Sequence, residues 1–213
     1  MGGSGGFHTG VKEAYQKGYE WIWVMDDDAF PERKCLEELL KHAEQAKVLG
    51  SLVIQKDEIA ASHRSNFDLN SAFNFKTFQR YLLEDEIFSA KNNCLVVDFI
   101  SFVGMLIHRN VIESVGFPEK DYFIFDDDIE YSLRIYKNCI PKLLITNTCI
   151  YHKTKGVSDV FSLEWYKKRT NRNNNVGQKE AKRILPLFYF FRWRNRMINI
   201  KTYSRKKLAN YFL

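Results

Sequence analysis

Paired cysteines are missing from this 213-residue chain: Cys35, Cys94, Cys139 and Cys149 are widely spaced and form no C-x-x-C pair. That spacing suggests neither a zinc knuckle nor a disulfide framework, and with no secretory signal at the start the thiols are expected reduced and the chain cytoplasmic. Long apolar runs are missing as well. The longest, Ile184 to Phe191, is broken by Pro186 and falls well short of the about 20 residues a membrane span needs. Acidic residues all but vanish toward the end, where the stretch from Lys167 onward carries 14 lysines and arginines against the single acid Glu180. The preceding residues hold 18 basic and 25 acidic side chains, so an acidic body carries a basic tail. Charge alone leaves anionic lipid, nucleic acid and phosphate-bearing substrates open as partners of that tail.

Hydrophobic residues make up 45% and aromatics 15%, which excludes disorder as the main state and calls for an aromatic-rich core. The length suits one sizeable α/β domain with an appendage. By composition the opening Gly2-Gly3-Ser4-Gly5-Gly6 reads as a flexible linker as readily as structure. From Phe7 to Lys17 the pattern turns helical and Gly18 closes it, after which Tyr19 to Met25 is a buried-strand run that stops at Asp26-Asp27-Asp28. Pro31 suits a first helical position, so a helix is expected from about Pro31 to Ala46, followed by a strand over Leu49 to Gln55. Residues Lys56 to Asn93 read as an irregular excursion with room for a short helix or hairpin. Beyond it, Cys94 to His108 is strand-like, Arg109 to Val115 helical with Gly116 as its cap, and Asp126-Asp127-Asp128-Ile129-Glu130 opens a helix that stops at Asn138. Lys142 to Thr146 and Thr148 to Tyr151 read as two strands, ending in His152. Strands alternating with helices imply a sheet packed between helices.

Three consecutive carboxylates at a strand end raise one another's pKa unless a cation joins them. Mg2+ or Mn2+ suits oxygen and imidazole donors, and such an ion can bridge a diphosphate and take up charge as a nucleotide leaves. The plainer reading is a solvated turn before a helix. A carboxylate of the second cluster could serve as general base toward an acceptor hydroxyl, while helix capping and dipole compensation account for at least one acid, Glu130 or Asp126. A lone His152 is, taken alone, more readily a packed residue than a ligand. His42 and His108 read as structural, and His8 and His63 have no comparable setting.

Taken in order, Gly2-Gly3-Ser4-Gly5-Gly6-Phe7, Trp23-Val24-Met25-Asp26-Asp27-Asp28, Phe102-Val103-Gly104-Met105, Val115-Gly116-Phe117-Pro118, Phe125 to Arg134 and Ile150-Tyr151-His152 resemble family 2 glycosyltransferases, with the flavour of the rhamnosyl- and galactofuranosyltransferase branch. The resemblance implies a GT-A fold, a Rossmann-like mixed α/β sheet flanked by helices, over residues 1–160, with a basic aromatic helical segment over 161–213. It implies that Asp26, Asp27 and Gly104 meet the nucleotide sugar, that Asp26, Asp28 and His152 hold Mn2+ or Mg2+, and that Asp128, with Asp127, carries the base function of an inverting transfer. The donor would be a UDP- or dTDP-sugar and the acceptor a glycan or lipid-linked glycan, in cell-surface polysaccharide synthesis. Family members normally begin with a β-α-β unit that grips the nucleotide base; this chain opens at the glycine-rich segment that follows it, so a truncated N-terminus and a catalytically silent assembly module stay open as the alternative. Trp165, Tyr166, Phe188 to Phe191 and Trp193 among basic residues fit an anionic membrane surface, a site reached by Arg169 and Arg172, or a helix packed on the body; nucleic acid is the weaker partner.

Overall fold

The glycine-rich opening is helix, not linker. In the computed structural model, which describes residues 2–69, 79–153 and 175–203, α1 runs Gly2–Gln16. Glycines weaken a helix by about 1 kcal/mol each, and packing offsets this: Val11 is buried, Phe7 lies 4.8 Å from Phe102 and Tyr15 meets Phe117 edge-on. Gly18, at φ +84°, ends the turn that feeds β1, Trp21–Val24.

A second departure follows the aspartates. The helix expected from Pro31 begins only at Cys35, as the short α2, Cys35–Leu40, and Pro31 instead closes a strand, β2, Ala29–Pro31. β2 lies at the end of the sheet, where a residue without an N–H costs the ladder least. The helical spacing of Leu36, Leu39, Leu40 and Ala43 continues only as turns to Gln45.

Strands β3 (Val48–Gln55), β4 (Glu58–Ile59), β7 (Cys94–Val97), β9 (Met105–His108) and β10 (Lys142–His152) complete a seven-stranded sheet of order β1-β9-β3-β10-β2, with β4 on β3 and β7 on β10. Among the described strands only β3 and β10 pair in parallel, so the sheet is mixed. What reads in sequence as two strands around Asn147 is one, with a register shift between Ile145 and Cys149. There Glu32 accepts hydrogen bonds from the Cys149 N–H and the Thr148 hydroxyl, which hold the irregularity. The Lys56 to Asn93 excursion contains β5 (Arg64–Phe67), β6 (Gln79–Tyr81) and α3 (Glu84–Phe88); with β8 (Phe99–Ile100) it forms a three-stranded sheet β6-β5-β8.

Period-two alternation sorts the core onto the two faces of the main sheet. Val48 and Leu52 of β3, with Met105 and Ile107 of β9, face α1, α4 (Arg109–Val115) and α5 (Asp127–Lys137) through Val11, Val111, Ile112, Tyr131 and Ile135. Leu49, Val53 and Leu106 face α2 through Cys35 and Leu39. Each such fully buried aliphatic contributes about 1.5–3 kcal/mol. The third core, Phe99, Ile129, Leu133 and Tyr203, joins α5 to the last helix, α6, Asn175–Tyr203. The expected boundary between residues 160 and 161 lies outside the described residues, as do Trp165, Tyr166, Arg169 and Arg172.

Candidate functional site

The register of the sheet brings two distant pieces of sequence together. β1 ends at Val24, Asp26-Asp27-Asp28 follow, and β2 starts at once with Ala29 paired to His152 at the end of β10. Asp28 is thereby laid beside His152: the Lys153 N–H donates to the Asp28 carbonyl, and His152 Nε2 sits 3.0 Å from Asp28 Oδ1 and 3.6 Å from Asp26 Oδ2. One donor atom from each of the three falls within 4.8 Å of the others. The imidazole side chain is 7% exposed and the two carboxylates 37% and 41%, so the cluster is floored by His152 and opens to solvent through the aspartates. Burial pushes the Asp26 carboxyl up, His152 pulls it back, and Asp28 and Asp27 push it up again. Asp27 itself is exposed and lies outside this three-residue group; with Asp26 it lines a groove of about 730 Å3 between α1 and β1.

Beneath the cluster lie residues that sequence reasoning missed. Gln55, at the end of β3 and brought next to His152 by the parallel β3–β10 register, has its amide 2.7 Å from His152 Nδ1. With the Gln55 Nε2 donating to the His152 Nδ1, the ring proton resides on the His152 Nε2 and is given to Asp28; turning the amide over would present the Gln55 Oε1, place the proton on the His152 Nδ1 and free the His152 Nε2 for a cation. His63 has its ring centre 5.4 Å from that of His152 and its Nδ1 2.9 Å from Ser101 Oγ. Burial, then the charges of Arg64 and His152, press its pKa to about 3, so it is neutral. Arg64, 2% exposed, donates to the carbonyls of Ser51, His63 and Val103 and to Ser101 Oγ. Burial lowers its pKa to about 9, while Cys35 and Asp128 favour its charge. No periodicity or motif marks His63-Arg64 in the sequence; only the fold shows that β5 begins under the aspartates.

Gly104 has a packing reason for its missing side chain. It sits at φ +86°, its N–H donates to the Val24 carbonyl at 2.9 Å, and a Cβ there would overlap Ile150 Cδ1. The missing side chain is thus what lets the turn into β9 close against Ile150 of β10.

The second acidic group opens α5 after a residue, Asp126, in the left-handed region at φ +62°. Asp126 stands at the N-cap position but its side chain makes no capping bond and faces Arg196 of α6 at 3.6 Å instead, while Glu130 lies in the acidic first turn, where it complements the helix dipole. Burial raises its pKa, and Arg196 and Arg192 oppose the rise. Glu130 is structural by its contacts, accepting from Arg134 at 2.7 Å and from the Tyr203 hydroxyl at 2.7 Å. Asp127, 7% exposed, is pushed up to about 6, chiefly by burial, with backbone N–H groups and Ser4 pulling back and Asp126 adding to the rise. Asp128 is half-buried and accepts from the Ile129 N–H at 2.8 Å. Burial, then Asp127, Asp126 and, less strongly, Asp26 hold its carboxyl well above the usual range. Of the groups that raise it, Asp26 belongs to the three-residue cluster.

Two carboxylates and one imidazole, clustered and partly open, are a donor set that fits a hard divalent cation such as Mn2+ or Mg2+, with remaining positions available to phosphate oxygens or water.

Residues 1–113 match the family model described as glycosyl transferase family 2. Over 145 residues, 66% of this chain and 46% of the relative, the chain is 28% identical to galactofuranosyltransferase GlfT1 of Mycolicibacterium smegmatis. Over 150 residues, 66% of this chain and 45% of the relative, it is 26% identical to galactofuranosyltransferase GlfT1 of Mycobacterium tuberculosis. The chain therefore spans about half the length of the curated relatives it matches. Among solved structures, GalNAc-T7 crystallised with UDP, GalNAc and Mn2+ superposes with a TM-score of 0.52 at 13% identity, over 70% of this chain and 30% of that one, a likeness of fold.

Proposed function

The chain belongs to glycosyl transferase family 2, and from that premise we propose that it transfers a sugar from a UDP- or dTDP-sugar to a glycan or lipid-linked acceptor, in one inverting step, during cell-surface polysaccharide synthesis. The observation that carries the proposal is the meeting of Asp26, Asp28 and His152 within 4.8 Å. Asp26, Asp28 and His152 would hold Mn2+ or Mg2+, whose chemistry is to neutralise the diphosphate as it departs. The groove between α1 and β1, ending at Asp26 and Asp27, is the proposed berth of the nucleoside. Gly104, bonded to Val24 just before the aspartates, underlies the proposed sugar position. Asp128 takes the proton of the acceptor hydroxyl as its oxygen attacks the anomeric carbon. A carboxylate lifted by burial and by Asp127 binds that proton more strongly than an exposed one, which suits the task.

Among the described residues no helix is long and apolar enough to cross a membrane. The basic C-terminal stretch, with Tyr189, Phe190 and Trp193 exposed on α6, supports contact with an anionic membrane surface from the cytoplasmic side. Assay with a panel of UDP- and dTDP-sugars, UDP-galactofuranose included, tests the function. Transfer is expected with Mn2+ or Mg2+ and none with chelator. Asp128→Asn should abolish transfer while sparing nucleotide binding; near-normal turnover in that variant removes Asp128 from the role. No metal-dependent nucleotide binding at millimolar ligand would favour the silent assembly module instead.

A further inference from the structure

Two buried asparagines on the described part of α6 are directed at one loop. Asn195 and Asn199 are 0% and 2% exposed. The Asn195 Nδ2 lies 2.9 Å from each of three carbonyl oxygens, those of Tyr122, Ile124 and Phe125, while its Oδ1 accepts from the Arg194 guanidinium. Asn199 accepts from the Tyr122 hydroxyl at 2.6 Å and donates to the Asp126 carbonyl at 3.4 Å. Arg194 also donates to the Asp121 carbonyl. The loop so gripped holds three non-glycine residues in the left-handed region, Phe123, Phe125 and Asp126, at φ +64°, +66° and +62°. Side chains other than glycine leave that region unless something holds them. From its other side the same loop is braced by α1, whose Ser4 N–H donates to the Phe123 carbonyl, and the Phe123 ring stacks on Phe191 at 4.6 Å.

We propose that Asn195 is a positioning residue for the transfer: by gathering three carbonyls on one amide nitrogen it fixes the loop that leads, through Asp126, into Asp127 and Asp128. The inference rests on Asp128 acting as the base. Only an asparagine fits the place. Aspartate, of equal shape, would set a carboxylate against three carbonyl oxygens, alanine would take this donor from the Ile124 and Phe125 carbonyls and leave the Tyr122 carbonyl only the Ile124 N–H, and glutamine would carry the amide past them. The basic C-terminal helix thus belongs to the active centre, not only to a surface.

Asn195→Ala and the isosteric Asn195→Asp in the full chain test this, read by amide hydrogen exchange and by transfer kinetics. Exchange over residues 121–128 should accelerate by roughly tenfold or more while β1 and β10 keep their protection. The kcat should fall roughly 10- to 100-fold with donor KM within about twofold, because the base is displaced and the donor site is not. Unchanged exchange in the loop overturns the proposal, as does faster loop exchange with unaltered kcat. A uniform acceleration over the whole chain assigns Asn195 to global stability and overturns it too. Should Asn195→Ala fold poorly, Asn199→Ala, which loses only the Tyr122 and Asp126 contacts, should give the smaller, equally local effect. If the unaltered chain transfers no sugar, the proposed function has failed, and the exchange comparison alone still decides whether Asn195 holds the loop.

Discussion

Asp127→Asn should make the protein more stable while making it a poorer enzyme. Asp127 is 7% exposed, and its carboxyl is pushed from 3.8 up to about 6, chiefly by burial. A group whose folded pKa is raised binds its proton better in the fold, so its contribution is fully present below pH 3.8 and is lost as pH rises through 6. Above pH 6 the carboxylate is ionised in both states, and a displacement of about 2 pH units corresponds to a penalty of about 3 kcal/mol on the fold. The amide removes that penalty and keeps the shape. For a chain of this size about 3 kcal/mol corresponds to roughly 6–12 °C in Tm. Calorimetric unfolding of both proteins at pH 7.5 and at pH 4 measures it: the variant should lead at pH 7.5 and the lead should shrink nearly to zero at pH 4. A variant less stable at pH 7.5, or a lead that does not shrink, would refute the reasoning that burial of this charge opposes folding. Transfer should fall alongside, since Asp127 lifts the pKa of Asp128.

Arg64→Met should destabilise by about 3–5 kcal/mol, because it removes the one donor group that serves the Ser51, His63 and Val103 carbonyls and Ser101 Oγ at once and leaves them buried without it; denaturant unfolding checks it, and a loss below about 1 kcal/mol contradicts it. Gly104→Ala should cost about 1–3 kcal/mol and weaken donor binding, as the methyl meets Ile150 and the backbone sits at φ +86°; the same unfolding assay together with nucleotide titration reads both.

Much of this architecture is legible from residues alone where periodicity is strong. Trp21 to Val24, Val48 to Gln55 and the helix ending at Asn138 announce themselves by spacing and by their stops. The misreadings have local causes. Five glycines within the first ten residues look like linker, yet α1 is stabilised through Phe7, Val11 and Tyr15, contacts that no composition count contains. Pro31 carries the same fixed φ whether it opens a helix or closes an edge strand, and only pairing with Ile150 distinguishes the two. In the site, the aspartate clusters and His152 stand at the ends of legible strands and at the start of a legible helix. Gln55, His63, Arg64, Asn195 and Arg196 enter it through register and packing, 97 residues separating Gln55 from its partner His152. A sequence has no mark for such neighbours.

The convergence of Asp26, Asp28 and His152 on one cation is tested most directly by Mn2+ binding, followed by electron paramagnetic resonance titration in the unaltered chain and three variants. Asp28→Asn and His152→Ala should each lower Mn2+ affinity by about tenfold or more, while Asp27→Asn, outside the three-residue group, should leave it nearly unchanged. Equal affinity in His152→Ala and the unaltered chain, or a loss confined to Asp27→Asn, would contradict a metal centre built from both ends of the sheet.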